Sequence, residues 1–126
     1  MPEGTRSIPL PTTSPELSSR YVDVAAIDWQ PTRFPGVEWK ILMQDETSGM
    51  MTALMRWAPG ARLPLHEHVE IEQTWVISGS FEDHQGRCTA GNFVWRPKGS
   101  RHEAWTTEGA VMLAVFLRPN TFFDAA

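Results

Sequence analysis

Residues 63–79 read LPLHEHVEIEQTWVISG and place His66, His68, Glu70 and Glu72 on alternate positions. In an extended chain alternate residues share one face, about 7 Å apart. Two imidazoles at that spacing can lean onto one metal ion at about 2.0–2.1 Å per nitrogen. His66 and His68 meet the condition, and Glu72 can face the same way after a short corner. Two neutral imidazoles beside a carboxylate suit Fe(II), Mn(II), Zn(II) or Ni(II). A fourth ligand must come from elsewhere in the chain. His84 sits in the polar turn EDHQG, whereas His102 follows Pro97 and Gly99 at the start of an apolar strand and can point inward. Glu70 has the same parity as its neighbours. It is the candidate catalytic carboxylate: at a rim, accepting an imidazole N–H, or itself the ligand in place of Glu72.

Positioning such side chains needs rigid elements, and the rest of the chain reads as short strands between corners. VEWKILM alternates Val37, Trp39, Ile41 and Met43 against Glu38 and Lys40. MTALMRW ends at Pro59-Gly60, QTWVIS at Gly79, and SFEDHQG turns at Gly86. RCTAGN turns at Gly91-Asn92, FVWRPKG ends at Pro97 and Gly99, HEAWTTEG turns at Gly109, and AVMLAVFL stops before Pro119. Short runs with Gly or Pro at each corner predict an all-β sandwich or barrel. A further short strand is expected at 21–24. No segment after residue 36 has a helical period.

The chain has 126 residues, enough for one domain. Residues 1–20 carry four prolines among Ser and Thr and read as an N-terminal arm, leaving 21–126 as the folded domain. The formal net charge is -4 with no basic run, so no nucleic-acid partner is expected. No apolar run approaches the ~20 residues of a membrane span, and the N-terminus lacks the pattern of a signal peptide. A cytoplasmic protein is the default expectation. The single cysteine, Cys88, excludes an internal disulfide and reads as a small buried hydrophobe. Six tryptophans and six phenylalanines need a large apolar interior or a ligand to cover them. Met55, Trp57, Phe81, Trp95, Trp105 and Phe116 are the candidates to line a pocket for an apolar or aromatic small molecule; Met43 is a further inward position.

At fixed spacings these residues resemble a known family, the cupins. GARLPLHEHVEIEQTWVISG matches the pattern G-x5-H-x-H-x3,4-E-x6-G at Gly60, His66, His68, Glu72 and Gly79. GNFVWRPKGSRHEAWT matches G-x5-P-x-G-x2-H-x3-N at Gly91, Pro97, Gly99 and His102, with Thr106 in place of the final Asn. The resemblance implies a double-stranded β-helix, a jelly-roll barrel, with one divalent transition metal inside it. The ligands it implies are His66, His68, Glu72 and His102.

Among cupins, the entry region GVEWKILMQDETSGMMTALMRWAPGARLPLHEH is similar to acetylacetone-type and dihydroxyacetophenone dioxygenases. That similarity implies a small non-haem metal oxygenase, with Fe(II) favoured, acting on a β-diketone or hydroxyaryl ketone. Those diketone enzymes use three histidines without a ligand carboxylate, which leaves the role of Glu72 open. The stretch from His66 to Trp105 also resembles the C-terminal cupin of ChrR-type anti-sigma factors, implying instead a zinc- or ligand-sensing cupin without turnover. Their helical zinc domain has no expected counterpart here, since residues 1–20 hold no Cys or His. A Lewis-acid isomerase or lyase is a third class that the fold accommodates. A homodimer is expected on the family's habit. With an unperturbed imidazole pKa near 6.5, metal loss is expected below about pH 6.

Overall fold

A computed structural model of the chain describes residues 15–123. The arm expected at 1–20 therefore lies mostly outside the described residues. Ten strands follow two short 3-10 turns, Pro15–Leu17 and Val24–Ala26. The strands are β1 (Gln30–Pro31), β2 (Val37–Gln44), β3 (Met51–Trp57), β4 (Arg62–Glu67), β5 (Glu72–Asp83), β6 (Gly86–Thr89), β7 (Phe93–Arg96), β8 (Arg101–Trp105), β9 (Ala110–Phe116) and β10 (Thr121–Phe122). The expected strand at 21–24 is absent: Tyr21 is exposed, and Val24 opens a 3-10 turn whose carbonyl accepts from Lys40 Nζ.

All pairings are antiparallel. One sheet runs β1-β2-β3-β9-β5 with β7 beside β5; the other runs from β5 through β8 and β4 to β10, with β6 beside β5. Strand β5 belongs to both. Its first half pairs with β7 and β9, and its second half with β6 and β8. The result is a curled antiparallel sheet, the architecture of a jelly-roll barrel.

The crossing is made at Gly79. Here the sequence predicts a strand end, but the strand continues to Asp83. Gly79 has φ +71°, and the carbonyl of Gly109 accepts from Ser80 N–H at 3.1 Å. A residue able to adopt this conformation lets one long strand bend from one sheet into the other without breaking.

Alternation sets the interior. Along β9, Ala110, Met112, Ala114 and Phe116 are buried while Val111, Leu113 and Val115 face outward. With Val37, Ala53, Met55, Trp57, Val76 and Phe81 they form one apolar cluster inside the barrel. Its small members matter for function. Ala104 and Ala114 line the wall of a cavity of about 480 Å³ rather than filling it.

Candidate metal centre

The centre is assembled by a cross-strand pair. On β4 and β8, His66 and His102 are direct register partners, so their side chains share the inner face. His68 lies one residue beyond the end of β4. Its N–H donates to Ser100 O at 2.9 Å, and its carbonyl accepts from Gly99 N–H at 2.7 Å. Those two bonds tie the end of β4 to the turn before β8 and aim the third imidazole inward. The ring centroids stand 4.6 Å (His66–His102), 4.8 Å (His68–His102) and 5.0 Å (His66–His68) apart. One ring nitrogen from each lies within 4.8 Å of the others.

Each ring is held by its other nitrogen. His66 Nδ1 lies 2.8 Å from Pro64 O, and His102 Nδ1 lies 2.8 Å from Asp83 Oδ2. His68 Nδ1 is 3.1 Å from Ser100 O and 3.0 Å from Ser100 Oγ, whose hydroxyl donates to Pro97 O. Acceptors at all three Nδ1 positions put the ring proton there and leave each Nε2 with a free lone pair. His68 Nε2 is buried with no hydrogen-bond partner. An orphaned acceptor of this kind is costly unless something fills its place. A metal ion suits it, and the three-histidine cluster fits a metal site.

Asp83 and Arg96 complete the support; of Arg56, Arg96 and Arg101, which lie near the motifs and could each bind a carboxylate, it is Arg96 that enters the site, and sequence reasoning missed Asp83. Arg96 Nη1 pairs with Asp83 Oδ2 at 2.7 Å. Burial pushes the Asp83 carboxyl up, but the hydrogen bond to His102, the Gln85 and Gly86 N–H groups and the Arg96 charge together hold it below its usual value. EDHQG is a turn, as expected, with Asp83 Oδ1 accepting from the N–H groups of Gln85 and Gly86. Nothing local shows that its other oxygen reaches a histidine 19 residues on. Asn120 was missed for the same reason. Its Nδ2 donates to Glu72 Oε1 at 3.2 Å, and its Oδ1 is buried without a partner.

The two glutamates part company. Glu72 opens β5 and is buried at the cavity, its Oε1 3.5 Å from His68 Nε2. It borders the histidine cluster without belonging to it. Burial raises its pKa, against the hydrogen bonds from Asn120 and Thr74 and the Arg96 charge. Glu70, expected on the shared face, is not there: its carboxylate pairs with exposed Lys98 at 3.0 Å. Residues 68–71 lie in the bend between β4 and β5, so strand parity does not run through them.

Of the pocket candidates, Met55, Trp57, Phe81 and Phe116 line the cavity, and Trp95 and Trp105 do not. Parity explains both corrections. On β7, Arg96 faces inward and Trp95 outward, 55% exposed. On β8, His102 and Ala104 face the cavity, so Trp105 turns away onto the His84 ring at 5.2 Å and the Arg62 guanidinium at 5.0 Å. Met43 also lies outside, beyond a bulge between Ile41 and Met43 that resets the alternation. Phe34 and Phe122, which no pattern singled out, line the cavity with ring centroids 4.7 Å apart, and Phe122 packs on His66 at 4.9 Å.

Burial also shifts the histidines. His66 is lowered to about 4 and His68 to about 3, in both cases chiefly by desolvation; His102 is lowered by desolvation against the pull of Asp83. Because the folded values lie below the unfolded value, the unfolded chain binds more protons as pH falls from about 6.5 toward 4. Stability carried by these two groups is full above about pH 6.5 and is lost through that window. Metal-free protein is expected to lose about 3 kcal/mol of unfolding free energy between pH 7 and pH 5. Glu72, with its raised pKa, works in the opposite direction. Urea titrations of chelator-treated protein at the two pH values measure the difference, and equal midpoints would contradict it. For the same reason bound metal is expected to survive to a lower pH than the unperturbed imidazole value implies.

The profile of the ChrR cupin-like domain family matches residues 17–121. No curated protein matches significantly in sequence. Among solved structures, a candidate acetylacetone dioxygenase from Methylibium petroleiphilum PM1 superposes with a TM-score of 0.79 at 22% identity, over 86% of this chain and 83% of that one. An acetylacetone dioxygenase from Acinetobacter johnsonii gives 0.78 at 19% identity, over 86% and 80%. The Rhodobacter sphaeroides complex of SigE with the anti-sigma ChrR gives 0.63 at 24% identity, over 74% of this chain and 50% of that one. At these identities the likeness speaks for the fold. Among the described residues, no helix is long and apolar enough to cross a membrane.

Proposed function

The chain belongs to the ChrR cupin-like domain family, and from that premise we propose that it is a small metal-dependent oxygenase acting on a carbonyl-containing apolar or aromatic molecule. One observation carries this reading: three neutral imidazoles converge beside a cavity of about 480 Å³ whose wall is mostly apolar. His66, His68 and His102 would hold one divalent ion through Nε2. Such an ion supplies Lewis acidity toward a ketone or enolate oxygen and, as Fe(II), the electron chemistry that O2 requires.

The chain's own groups bind and orient the substrate. Met55, Phe81, Phe116 and Phe122 exclude water and offer flat apolar contact. The Glu72 carboxyl, with its raised pKa, is suited to take and return a proton at Oε1 or Oε2 when a diketone or phenol ionises. Asn120 Oδ1 stands ready to accept from a hydroxyl on the substrate.

The test is reconstitution with Fe(II) and measurement of O2 uptake with β-diketones and with hydroxyaryl ketones. No uptake with any metal or substrate of either class would sink the oxygenase. A second reading is favoured by the family match alone: a zinc- or ligand-sensing cupin without turnover. Native metal content separates the two, iron favouring the oxygenase and zinc the sensor.

Asp83 gives a sharper check on the centre itself. Asp83→Ala removes the acceptor that fixes the His102 ring and leaves Arg96 without its carboxylate. Metal affinity is expected to fall about 10–100-fold, the usual cost of losing such a partner. Competition with a chromophoric chelator measures it. An unchanged affinity would mean that His102 does not ligate.

A further inference from the structure

Strand register gives the cavity an uneven floor. Ala53, Ala114 and Thr74 are direct partners across β3, β9 and β5, and all three are buried. Partners of this kind point to one face of the sheet, so they make a row of small side chains. Of the three, Ala114 and Thr74 line the cavity. Two residues along, about 7 Å away on the same face, Met55 pairs with Met112. Two residues the other way, Met51 pairs with Phe116, and Phe116 with Glu72. A low row therefore runs between two tall ones, a trench one residue wide. Its β5 end lies beside Glu72, whose Oε1 is 3.5 Å from His68 Nε2. From the other sheet, Ala104 lines the same cavity two residues beyond His102 on β8. Each sheet thus holds the cavity open with an alanine.

We propose that Ala114 and Ala104 determine what the cavity accepts: together they form a slot for one flat ring, which selects an aryl ketone over a compact aliphatic diketone. The choice of a ketone rests on the oxygenase reading above; the choice of a ring rests on the slot. Packed sheets lie about 10 Å apart face to face. Where both walls carry only a Cβ, the remaining gap suits the thickness of a ring, and a longer side chain on either wall closes it. The lining agrees. Phe81 and Phe116 stand at the same cavity, and aromatic groups gain from offset-stacked or edge-to-face contact with a ring. Size points the same way. The cavity of about 480 Å³ lies within the roughly 300–1,000 Å³ of pockets that enclose whole ligands. A compact diketone leaves most of that space empty, and an apolar wall without a neighbour forfeits its dispersion contacts. A ring lying along the trench carries its ketone at the β5 end, beside Glu72.

Calorimetric titration of the Zn(II)-loaded full chain with 4-hydroxyacetophenone and with pentane-2,4-dione tests the slot without any turnover. The unsubstituted chain is expected to prefer the aryl ketone at least about tenfold, the scale on which an apolar pocket discriminates by shape. In Ala114→Leu, and separately in Ala104→Leu, that preference is expected to fall at least about tenfold, because the added atoms occupy the ring's place. The two positions lie on different sheets, so each variant checks the other, and Ala114→Val is the milder change on the same wall. Circular dichroism and zinc content confirm that each variant is folded and loaded. A preference that survives both leucines would overturn the slot, and so would an unsubstituted chain that binds the two probes equally or binds neither. The oxygenase reading fails separately: absent O2 uptake, with the ring preference and its loss intact, would leave the slot standing and remove the reaction.

Discussion

Protein carrying His68→Ala is expected to bind less than about a tenth of the metal held by the unsubstituted chain under the same loading. His68 is fully buried, its Nδ1 proton is engaged by Ser100, and its Nε2 has no other partner. Removing it leaves two imidazoles, and the loss of a direct ligand exceeds the 10–100-fold seen when only a supporting partner goes. Thermal stability reports the same event independently of activity. A ligand at 100 times its dissociation constant stabilises the folded state by about 2.7 kcal/mol, several degrees for a domain of this size. That metal-dependent shift should vanish in His68→Ala. Without metal the variant has the advantage at low pH, because the group whose pKa is lowered to about 3 is gone. Stoichiometric metal in a His66→Ala/His68→Ala chain would refute the centre.

The second large effect belongs to a residue with no side chain. A Cβ built on Gly79 would stand 1.9 Å from Gly109 O, 2.8 Å from Gly109 C and 3.0 Å from Ala110 Cα. All three are backbone atoms at the start of β9, so no side chain can swing aside. The φ of +71° adds about 1–2 kcal/mol for any L residue. Gly79→Ala is expected to cost more than about 4 kcal/mol, or to prevent folding altogether. Gly60→Ala is the control. It shares a left-handed φ of +83° but meets nothing within 4 Å, so only the conformational term of about 1 kcal/mol applies. Denaturant unfolding of the two variants side by side measures the contrast. Equal losses would show that β5 does not depend on the close approach at residue 79.

These two glycines show where the sequence stops being informative. Both occupy positions of one motif, and both mark corners. Only the packing of β5 against the 109–110 turn distinguishes a glycine that is merely preferred from one that has no substitute. The same division runs through the site. Spacing alone put His66 and His68 on one side of the chain, because strand alternation is a local property that survives in any all-β fold. The corner residues likewise made most strand segments and the all-β class legible, since Gly and Pro act on their own backbone. His102 was reachable through the second motif.

What depends on pairing between distant strands was not legible. Glu70 and Glu72 have equal parity on paper. They separate because a bend at 68–71 interrupts the strand, sending Glu70 to Lys98 and Glu72 to the cavity. Trp95 and Trp105 looked as suited to the interior as Trp57. The inward phase of β7 and β8 is set by Arg96, His102 and Ala104, and that phase turns both tryptophans out. Asp83 and Asn120 carry no motif at all. They reach the centre through the β5–β8 crossing and the chain's return after β9, contacts that only tertiary structure creates. The sequence by itself therefore determined the fold class and the presence of a histidine-bearing strand, because local geometry encodes both. The tertiary structure decided which acceptor holds each imidazole, which carboxylate enters the cavity and which tryptophans turn away from it, because those follow from register between strands far apart in the chain.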